Sequence, residues 1–340
     1  MRTERTLRAA AVIGGIILAL VGVARAEPFK PVKLGIVVLP DEARQIEYSP
    51  AYGLLFVRNS DNDIRIIETT TNEQIDFRAG NDQFNDLDLT PDEHYLYAAG
   101  YSQSEERPYV HRFDLVTRTW DTCESYNPTY RIEGVDADRF LIQEQRQHPD
   151  LTFNRFAATI VQLDRVSSSN QGDFKYDHST DRVIHGNSGS SSKEIHSWRI
   201  MGDTLEVQGA AYDLIGGGTA VLSTDFQHFY YGRLQINGQN IKQNLAFFPE
   251  NIYAASSDIA FGASNYYDAE TSGELGSLGF DSKVYGLSGD GSELWAYREF
   301  GNVLFHYDLV PEPATMSMLA LGGLVVWWRR RRNYTITTEY

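Results

Sequence analysis

"YSPAYGLLFVRNSDNDIRIIETTTNEQIDF", residues 48–77, decides the fold. It reads as a turn, a strand, a polar turn, a strand ending in an acid, another turn and a last strand. "LTPDEHYLYAAGYSQSEERPYVHRFDLVTRTW", residues 89–120, repeats the order. Marking the residue that opens each copy gives Ser49, Thr90, Asp136, Ser179, Ser223, Ser256 and Ser288. Most of these intervals lie near the 40–45 residues of a four-stranded propeller blade. The third strand recurs as "IRIIET", "VHRFDL", "ATIVQL", "IHSWRI", "YGRLQI", "NYYDAE" and "LFHYDL". Most are followed by a tight polar turn.

Seven copies predict an all-β propeller of about seven four-stranded blades. The sixth copy is short and glycine-rich, so six blades is the competing count. The last copy stops after its third strand, at Leu309, while "KLGIVVL" at 33–39 precedes the first copy without a partner. That segment is expected to supply the missing fourth strand, closing the ring and removing an unpaired edge at the seam. The unit resembles YVTN-type and related WD-type repeats of secreted bacterial proteins, a likeness that implies a fold and no particular activity.

Both ends differ from this body. Arg2, Arg5 and Arg8 precede "AAAVIGGIILALVGV" and then "ARAE". Small residues Ala24 and Ala26 after an apolar run match a secretory signal peptide, residues 1–26, with cleavage expected before Glu27. An uncleaved anchor is the alternative. At the other end "VPEPATMSMLALGGLVVWWRRRR", residues 310–332, joins two prolines, an apolar run and four arginines. Pro311 and Pro313 cannot continue a strand or helix. As a helix, Ala314 to Trp328 would be about 22 Å long, short of the hydrocarbon core of roughly 30 Å. Trp327 and Trp328 suit the membrane interface, and Arg329, Arg330, Arg331 and Arg332 suit the cytoplasmic side.

Pro311-Glu312-Pro313, the apolar helix and the arginine cluster resemble, in that order, the PEP-CTERM sorting signal of Gram-negative bacteria. The resemblance implies a membrane-embedded exosortase that cuts near the motif, and an association with extracellular polysaccharide and biofilm material. The expected organisation is a propeller at 27–310, a sorting signal with membrane helix at 311–332 and a tail at 333–340. The tail "NYTITTEY" is a departure, since such signals usually stop soon after the arginines.

Composition narrows the partners. The chain of 340 residues has 30 Lys and Arg against 46 Asp and Glu; without the two end segments the body holds 22 and 43, a formal charge of −21. Such a surface repels nucleic acid and anionic lipid. The lone Cys123 makes no internal disulfide and reads as an ordinary buried or strand-end residue.

Motifs for chemistry are sparse. Asp82, Asp86 and Asp88 in "NDQFNDLDLTPDE" lack the spacing of a calcium loop and read as solvated turn residues. His94, His111, His178, His185, His196, His228 and His306 form no metal signature, although His178 and His228 hold related positions in neighbouring copies. Gly216 to Gly218 in "DLIGGGTAVLS" precede a strand and cannot open a helix around phosphate. "NSGSSS" at 187–192 reads as a loop. In "QHFYYG" and "SNYYDA" one tyrosine of each pair should face the core, leaving the other free for solvent or a sugar ring.

No cofactor, metal ligand set or nucleophile elbow is expected. The reading is therefore an exported, surface or extracellular binding or scaffolding propeller with a glycan or protein partner. A lactonase- or lyase-like enzyme with its site at the channel mouth is the alternative.

Overall fold

In the computed structural model the described residues are 31–78, 82–144, 150–167, 172–187, 194–212, 214 and 218–309. Their strands form seven four-stranded antiparallel sheets arranged as consecutive blades. Blades 1 to 6 occupy 43–78, 82–124, 129–167, 172–211, 220–247 and 254–277. Blade 7 takes three strands from 285–308 and its outermost strand from Val32–Val38, which lies beside Val303–Asp308.

The seam closes as the sequence predicts. The Leu39 amide donates to the Asn302 carbonyl at 2.8 Å, and the Lys33 ammonium sits 4.3 Å from the Phe305 ring centroid. Val37 and Leu39 are buried with Ala43, Ile46 and Tyr48 of blade 1 and Trp295, Tyr297 and Leu304 of blade 7. The N-terminal strand thus joins the first blade's core to the last.

Six of the seven turn residues that mark the repeat fall between the first and second strands of a blade, and Ser49 is the last residue of its first strand. In blades 2, 5 and 7 a hydroxyl holds that turn. Thr90 Oγ1 donates to Asp92 and accepts the Tyr95 amide. Ser223 does the same with Asp225 and His228, and Ser288 with Asp290 and Glu293. The acid that ends the third strand caps the next turn: Asp114 Oδ1 accepts the amides of Val116 and Thr117, and Asp268 Oδ1 those of Glu270 and Thr271. These are side-chain turn caps of the Asx type.

One strand assignment is corrected. "ATIVQL" runs into the fourth strand of blade 3, Val161–Ser167, and the third strand is Asp150–Arg155. That strand carries buried Thr152 and Asn154, whose side chains bond each other at 2.8 Å, so it lacks the apolar run of the other copies.

The core lies between blades. Phe84, Leu87 and Phe113 of blade 2 pack on Phe56 and Ile66 of blade 1, and Phe229 and Tyr231 of blade 5 pack on Ile184 and Ile195 of blade 4. Backbones approach closely enough that a Cβ on Gly186 would stand 2.5 Å from the Tyr231 ring. Because each sheet is covered on both faces, Tyr230, Tyr231, Tyr266 and Tyr267 are all buried. The expectation of one solvent-facing tyrosine in each pair does not hold.

Candidate functional site in the central channel

First strands line the channel, and alternation sends every second residue into it. The strands ARQIEYS, DQFNDLDL, TYRIEG and GDFKYD of blades 1 to 4 bring charged or polar residues there; AVL, AA and YGL of blades 5 to 7 bring small or apolar ones. The resulting cavity, about 520 Å³, holds Glu47, Asp86, Asp88, Glu133, Asp173, Arg58, Arg131 and Lys175 along its walls.

Glu93 also lines the cavity, accepting the Ser49 hydroxyl and the Ala51 amide of blade 1. Of the five carboxylates on first strands, four accept a backbone amide of the following blade. Asp86 accepts Ile132 N at 2.9 Å and Asp88 accepts Gly134 N at 2.8 Å. Glu133 accepts Tyr176 N at 3.4 Å, and Asp173 accepts Ala220 N at 3.1 Å. Gln45 makes the same bridge from blade 1, accepting Leu87 N at 3.1 Å and donating to Leu87 O at 2.6 Å. The cations join the chain of bridges: Arg131 pairs with Asp86 at 3.4 Å and Asp173 at 3.3 Å, and Lys175 pairs with Glu133. These charges staple blades 1 to 5 together.

The acidic stretch is therefore not a solvated turn. Asp86 and Asp88 lie on the first strand of blade 2 and serve as inter-blade acceptors; the side chain of Asp82 lies outside the described residues.

Burial with too few counter-charges shifts the acids. Burial, aided by Glu133 and Asp86 and opposed by Lys175, pushes Glu47 up to about 8. Burial pushes Glu133 up to about 7 against the pull of Lys175. Asp86 and Asp88 are also raised by burial, Asp88 further by Glu133. Lys175 is raised well above an ordinary lysine because its acidic neighbours outweigh its burial.

Raised carboxyls hold protons more tightly in the folded ring than in the unfolded chain. Their contribution is full below the ordinary glutamate value and is lost as pH rises through about 7 and 8. Lys175 stays charged throughout that window. Thermal melting is expected to show lower stability at pH 8.5 than at pH 5.5, and Glu47→Gln to remove most of that slope; an unchanged slope in the variant contradicts the assignment.

Lys175→Met leaves Glu133 buried without its partner and is expected to cost about 2–4 kcal/mol at neutral pH. Because the stranded acids can take up protons, the loss should shrink at pH 5. Denaturant unfolding at the two pH values checks this, and an equal loss at both contradicts it.

The structure disperses the histidines. His111 is bonded to Thr122 Oγ1 at 2.9 Å, His196 to Glu194 at 3.1 Å and His306 to Glu293 at 2.9 Å. His94 lies 3.6 Å from Asp92. His185 accepts from the Gln143 amide at 2.9 Å and is held neutral by burial, which lowers it to about 4. His178 packs edge-on against Phe226, while His228 packs near Tyr230. Among the described residues no three His, Cys, Asp or Glu side chains form a metal-holding group. Cys123 is buried and its thiol is pushed up to about 12 by burial, an inert state.

Gly216, Gly217 and residues 188–192 lie outside the described residues, as do Ala24, Ala26, Glu27, Pro311, Glu312, Pro313, Trp327, Trp328 and Arg329 to Arg332. Among the described residues no helix is long and apolar enough to cross a membrane.

Sequence reasoning missed Glu47, Arg131, Glu133, Asp173 and Lys175. The available signal was a charged residue shortly before each turn marker in the first four copies, as with Glu47 before Ser49 and Asp88 before Thr90.

The comparisons agree with this layout. Residues 309–332 match the family model of the PEP-CTERM protein-sorting motif. The chain carries a PEP-CTERM sorting signal. That signal implies export, membrane-associated sorting and an exosortase-type processing enzyme. No curated protein matches the chain. Among solved structures it is similar to the β-propeller domain of Cps50 (Swd1) from Myceliophteria thermophila, at a TM-score of 0.62 and 12% identity, covering 83% of this chain and 100% of that one. The likeness is one of fold alone.

Proposed function

We propose that the ring works outside the cell as a non-catalytic binding or scaffolding module for a glycan or protein partner. In this reading the signal at 1–26 is removed, the PEP-CTERM helix anchors the chain in the inner membrane, and cleavage then sends the ring to the cell surface or beyond. The observation that carries it is the commitment of the channel acids: four of the five on first strands are bonded to the next blade's amides and Glu93 to blade 1, so their convergence is explained by ring cohesion.

Glu47 is the exception and supports the second reading. Among the described residues its carboxylate accepts only the Gln45 amide, at 3.3 Å, and it lies at an acid-base poise of about 8 in a cavity that could admit substrate. A lactonase- or lyase-like enzyme would use such a group. Purified protein spanning 27–310 should retain polysaccharide or protein partners without consuming them. It should release no product from aliphatic lactones or uronate polymers. Product release that Glu47→Gln abolishes would replace the binding reading with the enzymatic one.

A further inference from the structure

The wall between blades 4 and 5 carries a groove of about 450 Å³, distinct from the channel. Arg182, Arg199 and Lys242 line it with Gln208, Gln239 and Asn240, and among the described residues no carboxylate does. That is unexpected on a body with a formal charge of −21.

Arg182 and Arg199 stand directly opposite each other on neighbouring strands. Like charges in that position repel, so a sheet tolerates them best when something anionic is shared between them. Arg182 is partly tied down, donating from Nε to Ser197 Oγ at 2.7 Å and from Nη1 to the Gly238 carbonyl, which leaves Nη2 uncommitted. Glu206 stands opposite Arg199 on the other side, yet among the described residues neither Arg199 nor Lys242 forms an ion pair. Burial lowers Arg182 from its ordinary value, and the charge of nearby Asp177 offsets that only in part.

A second observation comes from the backbone. The ladder between Ile195–Met201 and Thr204–Ala211 pairs Ser197 with Gly209 but Trp198 with Val207. Gln208 is therefore the extra residue of a β-bulge, a feature that re-aims a side chain. It lines the groove beside the two arginines.

Guanidinium groups grip planar or tetrahedral oxyanions through paired N–H donors, and amides satisfy hydroxyls in either sense. Three cations, three amides and no aromatic ring fit a polyhydroxylated anion. We propose that this groove binds an acidic saccharide, its carboxylate or sulfate held by Arg182, Arg199 and Lys242 and its hydroxyls by Gln208, Gln239 and Asn240. The inference rests on the binding reading above and names its ligand class.

The test uses protein spanning 27–310 and titration calorimetry with polygalacturonate, dextran sulfate, neutral dextran and polyphosphate. Polygalacturonate or dextran sulfate should bind, weaken with added salt and lose at least tenfold in affinity in the Arg199→Glu/Lys242→Glu variant. Neutral dextran and polyphosphate should bind at least tenfold more weakly. In the variant, relief of the Arg182–Arg199 repulsion is offset by a new repulsion against Glu206, so its melting temperature should stay near that of the unmodified protein, which separates lost binding from lost folding. Acidic polymer bound equally by the variant overturns the groove assignment while leaving the binding reading intact. Polyphosphate bound as tightly as the acidic sugars overturns the saccharide class. Failure of both acidic polymers to bind overturns the inference, whereas only product release, measured separately, overturns the binding reading.

Discussion

Removal of residues 30–39 is expected to lower the melting temperature by about 10 °C or more and to promote aggregation of the ring. Val37 and Leu39 are buried in the cluster joining blades 7 and 1, and their burial alone contributes about 3–6 kcal/mol. For a domain of this size each kcal/mol is worth roughly 2–4 °C. The deletion also strips Val303–Asp308 of its outer neighbour and exposes a strand edge bearing Phe305 and Tyr307. Calorimetry and light scattering check both consequences. Substituting Val37→Ala and Leu39→Ala should reproduce most of the stability loss and less of the aggregation, because the backbone edge stays covered. A truncated ring that melts like the full one would remove the closure argument.

The second large effect is on release. Changing Pro311, Glu312 and Pro313 to alanine should leave the ring folded, since the last blade's third strand ends at Asp308. Export should still occur, but the protein should stay almost wholly in the membrane fraction. Neutral replacements for Arg329 to Arg332 should act differently, weakening the stop and letting the tail slip through the bilayer. Fractionation with immunodetection separates the outcomes. Equal release of the alanine variant would show that the tripeptide is not read.

Much of the ring was legible because its grammar is local. Thr90, Ser223 and Ser288 recur with the same consequence, a hydroxyl closing one turn, and the spacing between them counts blades. The unpaired Val32–Val38 segment and the three-stranded last copy were two halves of one arithmetic. Two things were hidden. Alternating patterns suggested a wet face and a dry face, yet Tyr230 and Tyr231 are both buried because neighbouring blades cover both sides of a sheet. The channel charges were hidden by distance: Lys175 and Glu133 are 42 positions apart in sequence, so only ring geometry makes them an ion pair. "ATIVQL" misled for a third reason, its apolar run being stronger than that of the true third strand, Asp150–Arg155.

On the proposed reading, a closed propeller is carried out of the cell between two removable addresses. The intact mass of the protein recovered from the extracellular fraction tests it most directly. The expected chain begins at Glu27 and ends within residues 309–332, lacking the tail to Tyr340. A recovered protein that retains residues 1–26 or runs to Tyr340 would contradict it.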